Sequence, residues 1–277
     1  MSRSSSIKHY YIAMISPKIK LNRIKVVRSE EGERHSYKIG EKLVPGVTTI
    51  TGVLDKPFLR AWGINCAIDT IREGLAIPRV MAEGAGVVNL EELYAKAKNA
   101  SKVIGDTAKE NGTKAHDWIT KWICGGIPPA IDSQEAQNAV LAFLRWEREA
   151  KPEWLLSEET LGSAKHEFAG TIDAVALLNG KLSLIDFKTS KQLSEENWLQ
   201  TAGYYLMFDE NLAKGQRRPV QRVIVRIPKD GKDCEVVIKE NSLDFEIEIF
   251  LHLRAVQRWM SGKPKQKYEK VEVKETK

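Results

Sequence analysis

The sequence predicts an α/β (α+β) fold in which helices flank a central β-sheet, and three features predict it. Residues 58 to 150 carry helical apolar periodicity, residues 154 to 188 read as three strands, and a further helix, two strands and a last helix complete the pattern. With 277 residues and 42% hydrophobic content, the chain can bury a substantial core. Its longest apolar runs, such as "YYIAMI" at residues 10 to 15, are too short to span a bilayer, and no cleavage-site pattern follows them. A cytoplasmic location is expected.

The formal charge of +6 is unevenly placed: residues 1 to 28 hold Arg3, Lys8, Lys18, Lys20, Arg23, Lys25 and Arg28 with no acid among them. Such an arm suits a polyanion, and equally a solvated terminus. Residues 24 to 50 alternate β-type and polar residues around "SEEGER", which predicts one or two small hairpins ending at "VPGVTTI". From Phe58 the period becomes helical, with Leu59, Trp62, Cys66 and Ile71 near one face, until Gly74 and Pro78 interrupt it; "AEGAGVV" then reads as a loop. Residues 89 to 124 predict one or two helices, with Gly105, Ala108, Gly112 and Ala115 forming a stripe for close packing beside His116.

Asp132, with Glu135 three residues on, reads as the N-cap and capping-box partner of an amphipathic helix that ends at Pro152. A helix over residues 194 to 208 follows the three strands, then strands "VQRVIVRI" and "CEVVIKE", a helix from Leu243 to Met260 and a charged tail expected to be disordered. Cys66, Cys124 and Cys234 lie far apart without CxxC spacing, so they predict buried thiols, not a disulfide framework or a cysteine-built metal site.

The segment "GTIDAVALLNGKLSLIDFKTSK", residues 170 to 191, carries the chemistry. Asn179-Gly180 between β-type runs predicts a two-residue type I′ turn, which needs positive φ at both positions. Leu178 then pairs with Lys181, and Asp173 falls opposite Asp186. Opposed residues share a sheet face, where like charges destabilise the pair. Lys188, two residues along the same face, could compensate, and so could a divalent cation between the carboxylates. A solvent-facing pair or a longer loop would remove the conflict instead.

These residues resemble the PD-(D/E)XK nuclease superfamily, in particular its RecB-like exonuclease branch of phage-type nucleases, which includes the mitochondrial genome maintenance exonuclease. The resemblance rests on Gly170-Thr171-Ile172-Asp173 and on Asp186-Phe187-Lys188, and it extends to "GTKAH" at residues 112 to 116 and to Gln200 with Tyr204 as a Q-x-x-x-Y pair. It covers roughly residues 44 to 208, with "VPGVTTITGVLDKPFLRAWGIN" as a weaker upstream match, and it lacks the four cysteines of the branch's iron–sulfur members.

The resemblance implies a restriction-endonuclease-like core with a central mixed sheet and an N-terminal β/helical extension. It divides the chain into a basic arm and small β element (1–57), a nuclease domain with a helical insert (58–261) and a tail (262–277). It further implies Asp173, Asp186, Lys188, Glu158, Gln200 and Tyr204 as catalytic residues. The metal ligands would be His116, Asp173, Asp186, Glu158 and the Phe187 carbonyl, binding Mg²⁺ or Mn²⁺. Glu159 is the alternative to Glu158, since strand alternation turns only one of the two toward the site.

The implied activity is a metal-dependent DNA exonuclease leaving 5′-phosphate and 3′-hydroxyl ends, acting in DNA processing, recombination or repair of a phage or bacterium. Phage or host recombination proteins are the implied partners. A structure- or site-specific endonuclease and a catalytically silent DNA-binding module are the alternatives. Trp62, Trp118, Trp122 and Trp198 are candidates for stacking on bases.

Overall fold

A computed structural model describes residues 19–31, 34–80, 89–240 and 244–262. The predicted arm up to residue 18, the "AEGAGVV" loop and the tail from residue 263 lie outside the described residues.

The N-terminal β element is a three-stranded antiparallel meander, β1 (Val26–Glu31), β2 (Arg34–Ile39) and β3 (Lys42–Val44). The "VTTI" expected to end it in a strand is instead a short helix, α1 (Val47–Thr51), whose Val47 and Ile50 are buried against the core. Helices α2 (Pro57–Val80) and α3 (Leu90–Ile123) follow. Contrary to expectation, α2 passes through Gly74 and Pro78 unbroken. The reason at Gly74 is tertiary: a side chain there would collide with Leu93 of α3, so the glycine lets the two helices approach.

α3 is one helix, opened by Asn89, whose carboxamide accepts the Glu91 and Glu92 N–H groups. Its small-residue stripe serves several neighbours: Gly105 lies against Trp62, the Ala108 carbonyl accepts from Lys229, Gly112 abuts Thr189, and Ala115 enters the core. The next helix, α4 (Gln134–Ala150), is capped one residue later than predicted. Ser133 Oγ accepts the Ala136 N–H, while Asp132 pairs with Lys114 of α3 at 2.9 Å and Glu135 accepts from Asn111.

The main sheet has the order β4-β5-β6-β7-β8, formed by β4 (Glu153–Ser163), β5 (Phe168–Leu178), β6 (Lys181–Lys188), β7 (Gln221–Arg226) and β8 (Glu235–Glu240). It is mixed: β6 and β7 run parallel through a crossover that contains α5 (Glu195–Asn211), and the other pairs are antiparallel. α6 (Asp244–Gly262) packs beside α5.

One sheet face packs Ala174, Ala176, Ile185, Phe187, Val223 and Val225 against α3 and α4 through Ile119, Phe143 and Trp146. The other packs Ile172, Val175, Leu182 and Leu184 against α1, α5 and α6 through Ile50, Tyr204, Met207, Phe208 and Phe250. Each large side chain buried in these layers contributes about 1.5–3 kcal/mol. Of the predicted buried thiols, Cys66 is buried and Cys234 partly so, but Cys124 is exposed at the C-terminal end of α3.

Candidate active site

The turn Asn179-Gly180 has two residues, both at positive φ (50° and 73°), and sets the register Leu178↔Lys181 through Ala174↔Ile185. Continued by one position, that register brings Asp173 opposite Asp186, but the regular ladder stops there. Side-chain alternation along β5 slips at the same point: Ala174 and Ala176 face α3 and α4, Val175 faces α5, and so does Ile172. Asp173 occupies the slip, and its Oδ2 accepts the Phe187 N–H at 2.7 Å where a backbone carbonyl would otherwise serve. Irregularities of this kind re-aim a side chain at the edge of a sheet's regular pairing.

On β4 the register Ser157↔Ala174 and Glu159↔Ile172 puts Glu158 across from Asp173. Glu158, Asp173 and Asp186 thus stand on three adjacent strands, with Asp173 close enough to raise the carboxyls of both others. Glu158 stands at φ 51°, a left-handed conformation that costs a non-glycine residue about 1–3 kcal/mol. It borders the cleft, with its carboxyl pushed above the usual range by burial and then by Asp173, against the pull of Arg28. Glu159 is held elsewhere by Arg23, which donates from Nε at 2.6 Å and Nη2 at 3.3 Å.

Asp186, only 1% exposed, has a carboxyl raised to about 6. Burial is the main cause and Asp173 adds to it, while Lys188 and His116 oppose it. Lys188 Nζ lies 2.8 Å from Oδ1 and 2.6 Å from Oδ2, yet its geometry makes a hydrogen bond only to Oδ1. Both oxygens of this buried carboxylate thus lie within ion-pair distance of the one ammonium. Lys188 thus compensates the opposed aspartates in part. Among the described residues no three His, Cys, Asp or Glu side chains converge into a metal-holding group as they stand.

The donors instead satisfy one another, His116 Nε2 donating to the Phe187 carbonyl at 3.0 Å and Asp173 accepting the Phe187 N–H. The donor chemistry fits a hard divalent ion: three carboxylates on adjacent strands, with an imidazole and a carbonyl beside them.

Gly112 explains how α3 delivers His116. A Cβ there would fall 2.6 Å from Thr189 Oγ1, so only glycine lets the helix lie against the chain leaving β6. Gly170 plays the same part on the opposite face, where a Cβ would meet Met207, Val47 and Tyr204 at 3.1–3.2 Å. Beneath it, the Gln200 amide donates to Tyr204 Oη at 2.7 Å, both groups buried. Burial, with Asp186 and Asp173 nearby, holds the Tyr204 hydroxyl well above its ordinary pKa.

A cleft of roughly 530 Å³ lies between α3 and β1, bordered by His116, Asp117, Glu158, Asp173, Thr189 and Arg28. A smaller one of roughly 160 Å³ adjoins it, and Arg28, Glu158, Thr171, Tyr37 and Tyr204 border that. Asp186, Lys188 and Gln200 border neither. Arg28 is the cleft residue that sequence reasoning passed over. It stood out only as one charge in a basic stretch, 130 positions from its partner Glu158. Of the tryptophan candidates, Trp62 and Trp122 are 37% and 39% exposed, Trp118 stacks on Trp122 at 5.4 Å, and Trp198 is buried beneath Arg222 and Lys239.

A mixed five-stranded sheet between helical layers, with carboxylates on successive strands and a lysine two residues beyond the last, defines a class of phosphodiester-processing folds. Residues 79–273 match the sequence profile of the PD-(D/E)XK nuclease superfamily. The chain belongs to that superfamily, and its architecture is the restriction-endonuclease-like one. Two solved structures are similar to it at 15% identity and a TM-score of 0.30. One, described as SSO0001, is matched over 48% of this chain and 64% of its own, so the chain spans less than two thirds of it. The other, LHK-Exo in complex with dAMP, is matched over 54% of this chain and 82% of its own. A comparison with curated proteins finds no match.

Proposed function

We propose that the protein is a Mg²⁺- or Mn²⁺-dependent deoxyribonuclease, an exonuclease of the RecB-like branch that leaves 5′-phosphate and 3′-hydroxyl ends. The observation that carries the reading is the set Glu158, Asp173 and Asp186 on three adjacent strands, Asp173 close enough to raise the carboxyls of the other two, with Lys188 paired to Asp186. A divalent ion bound there would acidify a water and neutralise charge on the phosphorane-like transition state.

Glu158, Asp173, Asp186, the Phe187 carbonyl and His116 are the groups that would hold it, the imidazole tilting preference toward Mn²⁺. Lys188, its side chain 18% exposed and paired with Asp186, would orient the attacking water and stabilise the charge developing on phosphate. Gln200 and Tyr204, joined by their hydrogen bond on α5, would fix the lysine or a phosphate oxygen. The substrate is DNA, and exonucleolytic action is favoured because the G-T-x-x-H and Q-x-x-x-Y residues accompany the core motif.

A fluorescent DNA assay with Mg²⁺ or Mn²⁺ tests this directly. Asp186→Ala and Lys188→Ala should each abolish cleavage, and cleavage surviving both would sink the assignment. A covalently closed circle should remain intact, whereas its nicking would turn the reading to an endonuclease. Tight DNA binding without turnover on any substrate or metal would leave only a binding module.

A further inference from the structure

The N-terminal meander lies outside the residues that match the superfamily, 79–273, yet it reaches the site through one side chain. Arg28, on β1, places Nη1 3.2 Å from Glu158 Oε1 and 3.2 Å from Thr171 Oγ1, and that hydroxyl lies 2.9 Å from Thr160 Oγ1. Arg28 and Glu158 both border the larger and the smaller cleft, so the ion pair stands where the two meet. Glu158 is also the residue held in left-handed backbone, directly across from Asp173. A strained carboxylate beside a second carboxylate needs a positive partner, and here the chain supplies one.

We propose that Arg28 is the resident counter-ion of the metal site: its guanidinium neutralises Glu158 before a divalent cation binds, and the two cations then compete for that carboxylate. The inference rests on the reading of Glu158 as a metal-site residue. When the carboxylate turns to the divalent ion, the Nη1 donor that met Glu158 stands at the border of both clefts, where a DNA phosphate accepts it and restores charge balance. Cation and DNA therefore help each other bind, because each offsets the charge the other leaves uncompensated. Arg23 provides an internal comparison: it pairs with Glu159 on the same strand, and neither borders the clefts.

The test is a calorimetric titration of Mn²⁺ into the full-length protein without DNA, with thermal unfolding as the folding control. Arg28→Gln should bind Mn²⁺ about three- to tenfold more tightly than wild type, a gain of the size expected when a partly exposed competing cation is removed. Arg28→Met, which keeps the apolar stem, should behave alike, and Arg23→Gln should match wild type. A phosphorothioate-capped oligonucleotide should raise Mn²⁺ affinity more in wild type than in Arg28→Gln. If Glu158→Gln leaves Mn²⁺ affinity unchanged, the metal-site reading of Glu158 fails. If Glu158→Gln weakens binding while folded Arg28→Gln and Arg28→Met bind Mn²⁺ no more tightly than wild type, the counter-ion proposal alone is overturned.

Discussion

Replacing Asp186 with asparagine should make the protein more stable at neutral pH while removing its activity. The Asp186 carboxyl is raised from 3.8 to about 6, chiefly by burial. It therefore binds a proton more tightly in the folded chain than in the unfolded one, so its contribution is fully favourable below about pH 3.8 and is lost as pH rises to about 6. At about 1.4 kcal/mol for each pH unit, ionised Asp186 costs the folded state about 3 kcal/mol. Asparagine escapes that cost, and the opposing pull of Lys188 is already contained in the raised pKa. The variant should then be more stable than wild type by up to about 3 kcal/mol near pH 7.5.

Other titrating groups cancel in the comparison, so pH dependence is the sharper measure. In urea unfolding, the variant's stability relative to wild type should rise by about 2 kcal/mol between about pH 4.5 and about pH 7.5. Millimolar Mn²⁺ should stabilise wild type by mass action and leave the variant unmoved. A difference that stays flat across that range, or slopes the other way, would refute burial as the dominant influence on Asp186.

Gly203→Ala would bring a Cβ within 2.6 Å of Phe250 Cζ and should cost about 1–3 kcal/mol in urea unfolding, partly recovered by Phe250→Leu. Glu246→Gln removes the counter-charge of Arg222, whose side chain is 1% exposed, and should cost about 3 kcal/mol. An apolar pair, Arg222→Met with Glu246→Leu, should recover much of that stability. Tyr204→Phe leaves the buried Gln200 amide without its acceptor; a loss of about 1–3 kcal/mol with reduced cleavage is expected, and unchanged stability would mean that the Gln200–Tyr204 bond is not made.

Features encoded over a few residues were legible in advance. The Asn179-Gly180 hairpin and its register follow from turn chemistry and a two-residue period, and the structure reproduces the turn and the pairing from Leu178↔Lys181 to Ala174↔Ile185, where the ladder ends short of the aspartates. The strands from Glu153 to Lys188 and the helices on either side follow from periodicity in the same way. Misreadings arose where a distant partner changed the local outcome. Asp132 is a good cap by type, but Lys114 of α3 engages it, and Ser133 caps instead. Gly74 looks like a helix breaker, yet it is the point where Leu93 packs against α2.

The sequence by itself determined the class of chemistry: an aspartate on each arm of a short hairpin, a lysine two residues beyond, and a histidine on a small-residue helix. It also determined the register that brings the aspartates toward each other. Only the tertiary structure decided that alternation slips at Asp173, that Glu158 and not Glu159 borders the cleft, and that Arg28 meets it there. The physical reason is range. Turn and strand preferences are written into neighbouring residues, whereas a left-handed glutamate and a guanidinium 130 positions away become partners only when packing carries β1 across β4.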